Sequence, residues 1–127
     1  MNRKTQIVVV GGGAGGLELA TRLGDRLGRK GRAAVTLVDR GRTHVWKPLL
    51  HEVATGALSP ENIVVPLAPL AAAPRRAFIA TRLVKVLPAE KKIVTQAGDF
   101  AYDYLVLGLG SQVNFYDTPG AREHSYP

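Results

Sequence analysis

Five glycines in six residues, Gly11-Gly12-Gly13-Ala14-Gly15-Gly16, separate an apolar run from an amphipathic one. The apolar run, QIVVV at residues 6 to 10, stops at the first glycine, as a parallel strand buried on both faces does. From Ala14 onward Leu17, Ala20, Leu23 or Gly24, and Leu27 recur with a helical period, and Glu18, Arg22, Asp25 and Arg26 fall between them. The pattern predicts a helix ending near Gly28. Arg26, Arg29 and Lys30 suit the negative end of its dipole, and Gly31 closes the segment. AAVTLVD at residues 33 to 39 is a second β-branched run, so the first 39 residues read as a βαβ unit with a right-handed crossover.

Gly11, Gly13 and Gly16 satisfy G-x-G-x-x-G, a weak signal in isolation. Here it has a strand before it, a helix after it, a second strand and an acid, Asp39, at the end of that strand. Each part has a task in dinucleotide binding. Gly11 permits the turn out of the strand, Gly13 lets the backbone approach a pyrophosphate, and Gly16 lets the helix pack on the strand. The helix amino terminus offers unpaired N–H groups to phosphates. Asp39, about 23 residues after Gly16, can accept hydrogen bonds from ribose hydroxyls. It would repel a 2′-phosphate, although Arg40 and Arg42 stand close behind it. The competing reading is a glycine-rich turn in an unrelated α/β domain.

Beyond Asp39 the polar stretch RGRTHVWK leads to PLLHEVATG, where Pro48 at a first helical position and Gly56 past the end predict a short helix with Leu49, Leu50 and Val53 on its buried side. Ser59 to Pro74, with four prolines, reads as loop plus a short helix over Leu67 to Ala73. From Ala77 to Val94 the alternation predicts two strands joined by a turn at Pro88-Ala89-Glu90, and Ala97-Gly98-Asp99 is a further turn. YLVLGLG, residues 104 to 110, is the last clear strand, and everything from Ser111 onward reads as loop.

At 127 residues, 46% hydrophobic and 21% charged, the composition fits one globular domain with a real core. The absence of Cys excludes a disulfide scaffold, a Cys-ligated zinc or iron–sulfur site and a redox CxxC from these residues. The formal charge of +7 is spread in pairs such as Arg75-Arg76 and Lys91-Lys92, which read as solvated turns, so no nucleic-acid partner is expected. No run approaches the ~18 apolar residues of a membrane span. The amino terminus also lacks the form of a signal peptide, which points to the cytoplasm.

The order of elements after the second strand resembles the FAD domain of flavoproteins that carry two dinucleotide-binding domains. More closely, IVVVGGGAGGLELATRLG, VTLVDR, HVWKPLLHEVATG and YDYLVLGLGSQVNFYDTPG resemble the type II NADH dehydrogenases, single-subunit NADH:quinone oxidoreductases of the FAD-dependent pyridine nucleotide-disulfide oxidoreductase superfamily. WKPLLHEVATG is the most specific piece, because nothing in generic dinucleotide binding requires it. The resemblance implies an α/β, Rossmann-like FAD-binding domain, βαβ with a parallel sheet plus a β-meander, present here in incomplete form over residues 1–111. Residues 112–127 would be a linker towards an NADH-binding domain.

Carried over by position, the resemblance implies FAD pyrophosphate at Gly11, Gly12, Gly13, Ala14, Gly15 and Gly16. It implies adenosine ribose at Asp39 with Arg40 beside it, and flavin-side contacts from Lys47, Pro48 and Leu49. A backbone contact to adenine would fall at Leu83 or Val84. Gly108, Gly110 and Ser111 match the returning strand, where the family commonly has Ala at the position of Gly108. The implied parent passes electrons from NADH through FAD to a quinone and lies on the cytoplasmic face of the inner membrane, held by carboxyl-terminal parts not in this sequence. The chain alone would then be incompetent for turnover and prone to self-association through an uncovered sheet edge. Two other readings remain: a reductase of the same superfamily with another acceptor, such as a sulfide:quinone or ferredoxin reductase-like enzyme, and a nucleotide-binding module without redox chemistry.

Trp46 reads equally as a core aromatic or a site residue, and His51 as a packed or surface histidine. His44 and His124 have no partners at metal-ligand spacing. Ser59 and Ser111 lack the G-x-S-x-G setting of a hydrolase nucleophile.

Overall fold

A computed structural model describes residues 3–67 and 76–125. Its centre is strand β1 (Thr5–Val10), which pairs in parallel with β2 (Ala33–Asp39) on one side and β9 (Tyr104–Leu107) on the other. A strand whose two faces are both covered, one by a helix and the other by further strands, has no solvated side, and this is why residues 7–10 are apolar without alternation. Strand β5 (Arg76–Ala80) extends the sheet beyond β2, giving the all-parallel order β5-β2-β1-β9.

The two faces of the sheet are covered differently. Ile7 and Val9 of β1 join Val35 and Leu37 of β2 under helix α1 (Ala14–Leu23), whose Leu17, Leu19 and Leu23 pack on them. Val8, Val10 and Val38 face the other way. They meet Ile93, Val86 and Phe100 of an antiparallel meander of β6 (Leu83–Leu87), β7 (Lys92–Thr95) and β8 (Gly98–Ala101). The result is three layers: helix, parallel sheet, meander. The period-2 alternation of side chains along β1 therefore feeds two cores.

The expected helix runs to Gly28 as predicted, but its end widens into a π-helical turn, Gly24–Gly28, where the Arg29 N–H donates to the Gly24 carbonyl at 2.9 Å. Gly31, at φ +67°, closes it.

The run read as one strand from Ala77 divides at Thr81-Arg82 into β5 and β6, which lie in different sheets. The Thr81 N–H donates to the Asp39 carbonyl at 2.9 Å, ending β5 where the chain leaves the parallel sheet. The turn expected at Ala97-Gly98-Asp99 lies one residue earlier, at Gln96-Ala97, and Gly98 already begins β8.

Two strands were invisible to periodicity. β3 (Thr43–Val45) and β4 (Val64–Pro66) form a small antiparallel ribbon in stretches read as polar segment and loop. Three residues are too few to show alternation, and the ribbon is closed at its ends by the buried residues that flank β4: the Trp46 N–H donates to the Ile63 carbonyl and the Leu67 N–H to the Arg42 carbonyl, both at 2.8 Å. Between them Lys47–Leu49 forms a 3₁₀ turn that runs into α2 (Leu50–Ala54), the short helix expected from Pro48 and Gly56. Its buried side is not as predicted. Leu50 is 46% exposed, Leu49 and Val53 are half-buried, and no residue of α2 is fully buried.

The helix expected over Leu67 to Ala73 lies, beyond Leu67, outside the described residues. The stretch after Ser111 is largely irregular, but it contains one helical turn, α3 (Ala121–His124), whose Arg122 guanidinium sits 5.1 Å from the centroid of the Phe115 ring.

Candidate functional site

The strand order places the carboxyl ends of β1, β2 and β9 side by side, with the chain leaving β1 between two neighbours that lie on opposite sides of it. In an open α/β sheet such a switch point leaves a crevice. The glycine loop occupies it.

Gly11 has φ +110°, a conformation that favours glycine, and donates its N–H to the Val38 carbonyl at 2.7 Å. A Cβ there would strike the Gly108 carbonyl, and a Cβ on Gly16 would strike the carbonyl of Gly11. Both glycines are therefore demanded by backbone packing. Gly13 and Gly15 differ: a Cβ on either would meet nothing within 4 Å. Their openness is towards solvent, where a ligand backbone can come close. Gly13 caps α1 with no side-chain oxygen on the helix end, and the first intrahelical donor is Leu17, on the Gly13 carbonyl at 2.9 Å. The amides of Ala14, Gly15 and Gly16 precede it and have no intrahelical acceptor. Their partial positive charge suits a phosphate.

Asp39, at the end of β2, accepts the Gly12 N–H on Oδ2 and the Gly41 N–H on Oδ1, both at 2.6 Å. A carboxylate has about four acceptor positions, so each oxygen can still take a ribose hydroxyl. Beside it opens a shallow cavity of about 450 Å³ lined by Arg40, Ala80, Thr81, Arg82, Gln96 and Ala97. Arg40, which follows Asp39 in the chain, forms part of the wall of this cavity. Leu83 and Val84 do not line this cavity. The Leu83 side chain packs into the meander core, and Val84 lies in an irregularity of the β6–β7 ladder with its side chain 60% exposed.

On the opposite flank Gly108 follows β9 directly and donates its N–H to the Val10 carbonyl at 2.7 Å. Its absent Cβ would make only ordinary contacts, the nearest at 3.5 Å, which explains how alanine can serve at this position. Gly110 needs its φ of +76°, and Ser111 is exposed. Lys47 and Pro48 are exposed on the 3₁₀ turn and Leu49 is half-buried. Trp46 is half exposed, which removes the core-aromatic reading, and His51 is a surface histidine.

Two residues of the site escaped the sequence. His44 is buried, with Nδ1 2.8 Å from the Gly12 carbonyl oxygen, and the Leu67 side chain packs under Gly12. The only signal was the spacing of two between His44 and Trp46 in THVW, which puts them on one side of an extended segment; in the structure their ring centroids are 6.4 Å apart.

The family model for pyridine nucleotide-disulphide oxidoreductases matches residues 5–126. A type II NADH:quinone oxidoreductase of Haemophilus influenzae is 41% identical over 132 residues, covering 93% of this chain and 29% of that protein. Another, of Staphylococcus haemolyticus, is 27% identical over 123 residues, covering 97% of this chain and 30% of the relative. Among solved structures, the sulfide:quinone oxidoreductase of Aquifex aeolicus superposes with a TM-score of 0.82 at 32% identity, over 95% of this chain and 28% of that one. NDH2 of Plasmodium falciparum in complex with NADH superposes with a TM-score of 0.83 at 21% identity, over 98% and 26%, a likeness of fold. The chain spans about three tenths of the length of the curated relatives it matches. Its parallel sheet, flanked by helix and meander, is the Rossmann-type α/β architecture of these oxidoreductases. From its first strand to the last helical turn, the chain belongs to the pyridine nucleotide-disulphide oxidoreductase family.

Proposed function

We propose that this chain is the FAD-binding part of a flavoprotein that passes electrons from NADH to a quinone. The observation that carries the reading is the division of labour in the glycine loop: Gly11 and Gly16 are closed by backbone contacts, while Gly13 and Gly15 are open in front of an uncapped helix. Such a cradle fits a pyrophosphate. Its acid neighbour, Asp39, keeps acceptor capacity for ribose hydroxyls and disfavours a 2′-phosphate, which selects FAD or NAD over a phosphorylated dinucleotide. The similarity to type II NADH:quinone oxidoreductases supports FAD at this site, with NADH and quinone as substrates of the whole protein.

In this assignment residues 1–111 bind FAD and residues 112–127 lead towards an NADH-binding domain. FAD supplies the redox chemistry. The protein's own residues orient it: the amides at the start of α1 hold the pyrophosphate, and Asp39 and Arg40 hold the adenosine end beside the cavity formed with Thr81 and Arg82. Lys47, Pro48 and Leu49 and the Gly108–Ser111 segment lie towards the flavin. The membrane surface is met only through other parts of the protein.

Gly13→Val tests the placement. Gly13 has φ −72° and open space beyond its Cα, so a valine leaves the fold intact and fills the ligand's approach. Equilibrium FAD titration of the folded variant is expected to show at least a tenfold loss of affinity, about 1.4 kcal/mol. An unchanged dissociation constant puts the pyrophosphate elsewhere.

A further inference from the structure

Gly12 is held at both of its polar atoms by side chains from different elements. Its N–H donates to Asp39 Oδ2 at the end of β2, and its carbonyl oxygen lies 2.8 Å from Nδ1 of His44 on β3. A carbonyl oxygen only accepts, so Nδ1 of His44 carries the proton of that bond. In a planar trans peptide the carbonyl and the following N–H point in opposite directions. Fixing the Gly12 carbonyl towards the buried His44 therefore turns the Gly13 N–H the other way, away from the buried histidine, at a residue that is itself exposed. The neighbouring peptide obeys the same geometry. With the Gly12 N–H on Asp39, the Gly11 carbonyl is directed to Gly16, against which it packs.

We propose that His44 is a positioning residue that aims the Gly13 N–H at the pyrophosphate of the bound dinucleotide. The inference rests on the reading of the glycine loop as a phosphate site. Between Gly12 and Gly13 both flanking residues lack a Cβ, so nothing steric prevents that peptide from turning over. Turned over, it presents an oxygen to an anion in place of a donor. His44 is the group that penalises this alternative, because the flip would leave its buried Nδ1–H without an acceptor. His44 also ties the β3–β4 ribbon, and with it the Lys47–Leu49 turn, to the loop.

The test compares His44→Phe, which keeps the ring volume and removes the donor, with His44→Asn, whose amide nitrogen can reach the place of Nδ1. FAD affinity is measured by fluorescence titration at a temperature where unfolding curves show each variant folded. The Phe variant is expected to bind about tenfold more weakly and the Asn variant to recover to within about threefold of wild type. Equal affinity in all three proteins overturns the proposal. An equal loss in both variants assigns His44 to packing alone and also overturns it. Should His44→Phe fail to fold, the ¹⁵N spectrum of the wild-type imidazole decides: a protonated Nδ1 supports the latch and an Nε2–H tautomer overturns it. Failure of wild type to bind either FAD or ADP is a different result. It removes the phosphate site itself, and the proposal with it.

Discussion

Glycine at Gly16 and glycine at Gly108 have opposite meanings, although both flank the same loop. A methyl on Gly16 must displace the Gly11 carbonyl, so Gly16→Ala is expected to destabilise the protein by about 1–3 kcal/mol, as overpacking does, and to weaken FAD binding in step. Gly108→Ala meets only ordinary contacts. It is expected to be neutral or to stabilise by about 0.4–1 kcal/mol through the unfolded chain. Urea unfolding of the pair checks both signs, and equal destabilisation would contradict the packing described. Asp103 carries a pH signature of another kind. It accepts the Gln6 N–H and pairs with Arg3, and these two contacts, the backbone one foremost, hold its carboxyl below the ordinary 3.8. A depressed folded pKa means stability present above the unfolded value and lost as pH falls through the folded one. Asp103→Asn should therefore lower stability at neutral pH and converge with wild type in acid. Parallel curves down to pH 2 would exclude that role. The glycine loop and Asp39 were legible because their spacing is a local code. His44 was not, because its partner Gly12 lies 32 residues away and a buried histidine looks in sequence like any other.

At the level of elements, legibility followed the range of the contacts. β1, α1, β2 and β9 announced themselves through continuous apolar runs or a helical period ended by glycine. The β3–β4 ribbon and the division of β5 from β6 depend on partners that periodicity does not report: Ile63 and Leu67 for the ribbon, the Asp39 carbonyl for the break at Thr81. The meander reads as strands, yet its role as the cover of a whole sheet face appears only once Ile93 is seen fully buried against Val8, Val10 and Val38. Ile93→Ala is accordingly expected to cost about 2–5 kcal/mol. Hydrogen exchange should show protection falling most across residues 83–101. A loss confined to α1, on the other face, would mean that the two cores are not separate as described.

Over the whole molecule, the exposed apolar side chains concentrate at β9 and just beyond it: Tyr104, Leu107, Leu109, Val113 and Tyr116. Among the described residues β9 is also an outermost strand of the parallel sheet, so apolar surface and unpaired backbone coincide. Self-association through this edge is expected, and light scattering should find species larger than 13.6 kDa. Leu107→Lys, a charge on the edge strand, should shift them towards monomer, whereas a monodisperse wild-type monomer would contradict the expectation. The central claim is simpler to reach than the assembly. Purified protein, titrated with FAD if colourless, is predicted to retain the flavin through gel filtration with its absorbance bands perturbed from those of free FAD. A colourless protein that leaves all added FAD in the free fraction would contradict the assignment of the glycine loop to a flavin nucleotide.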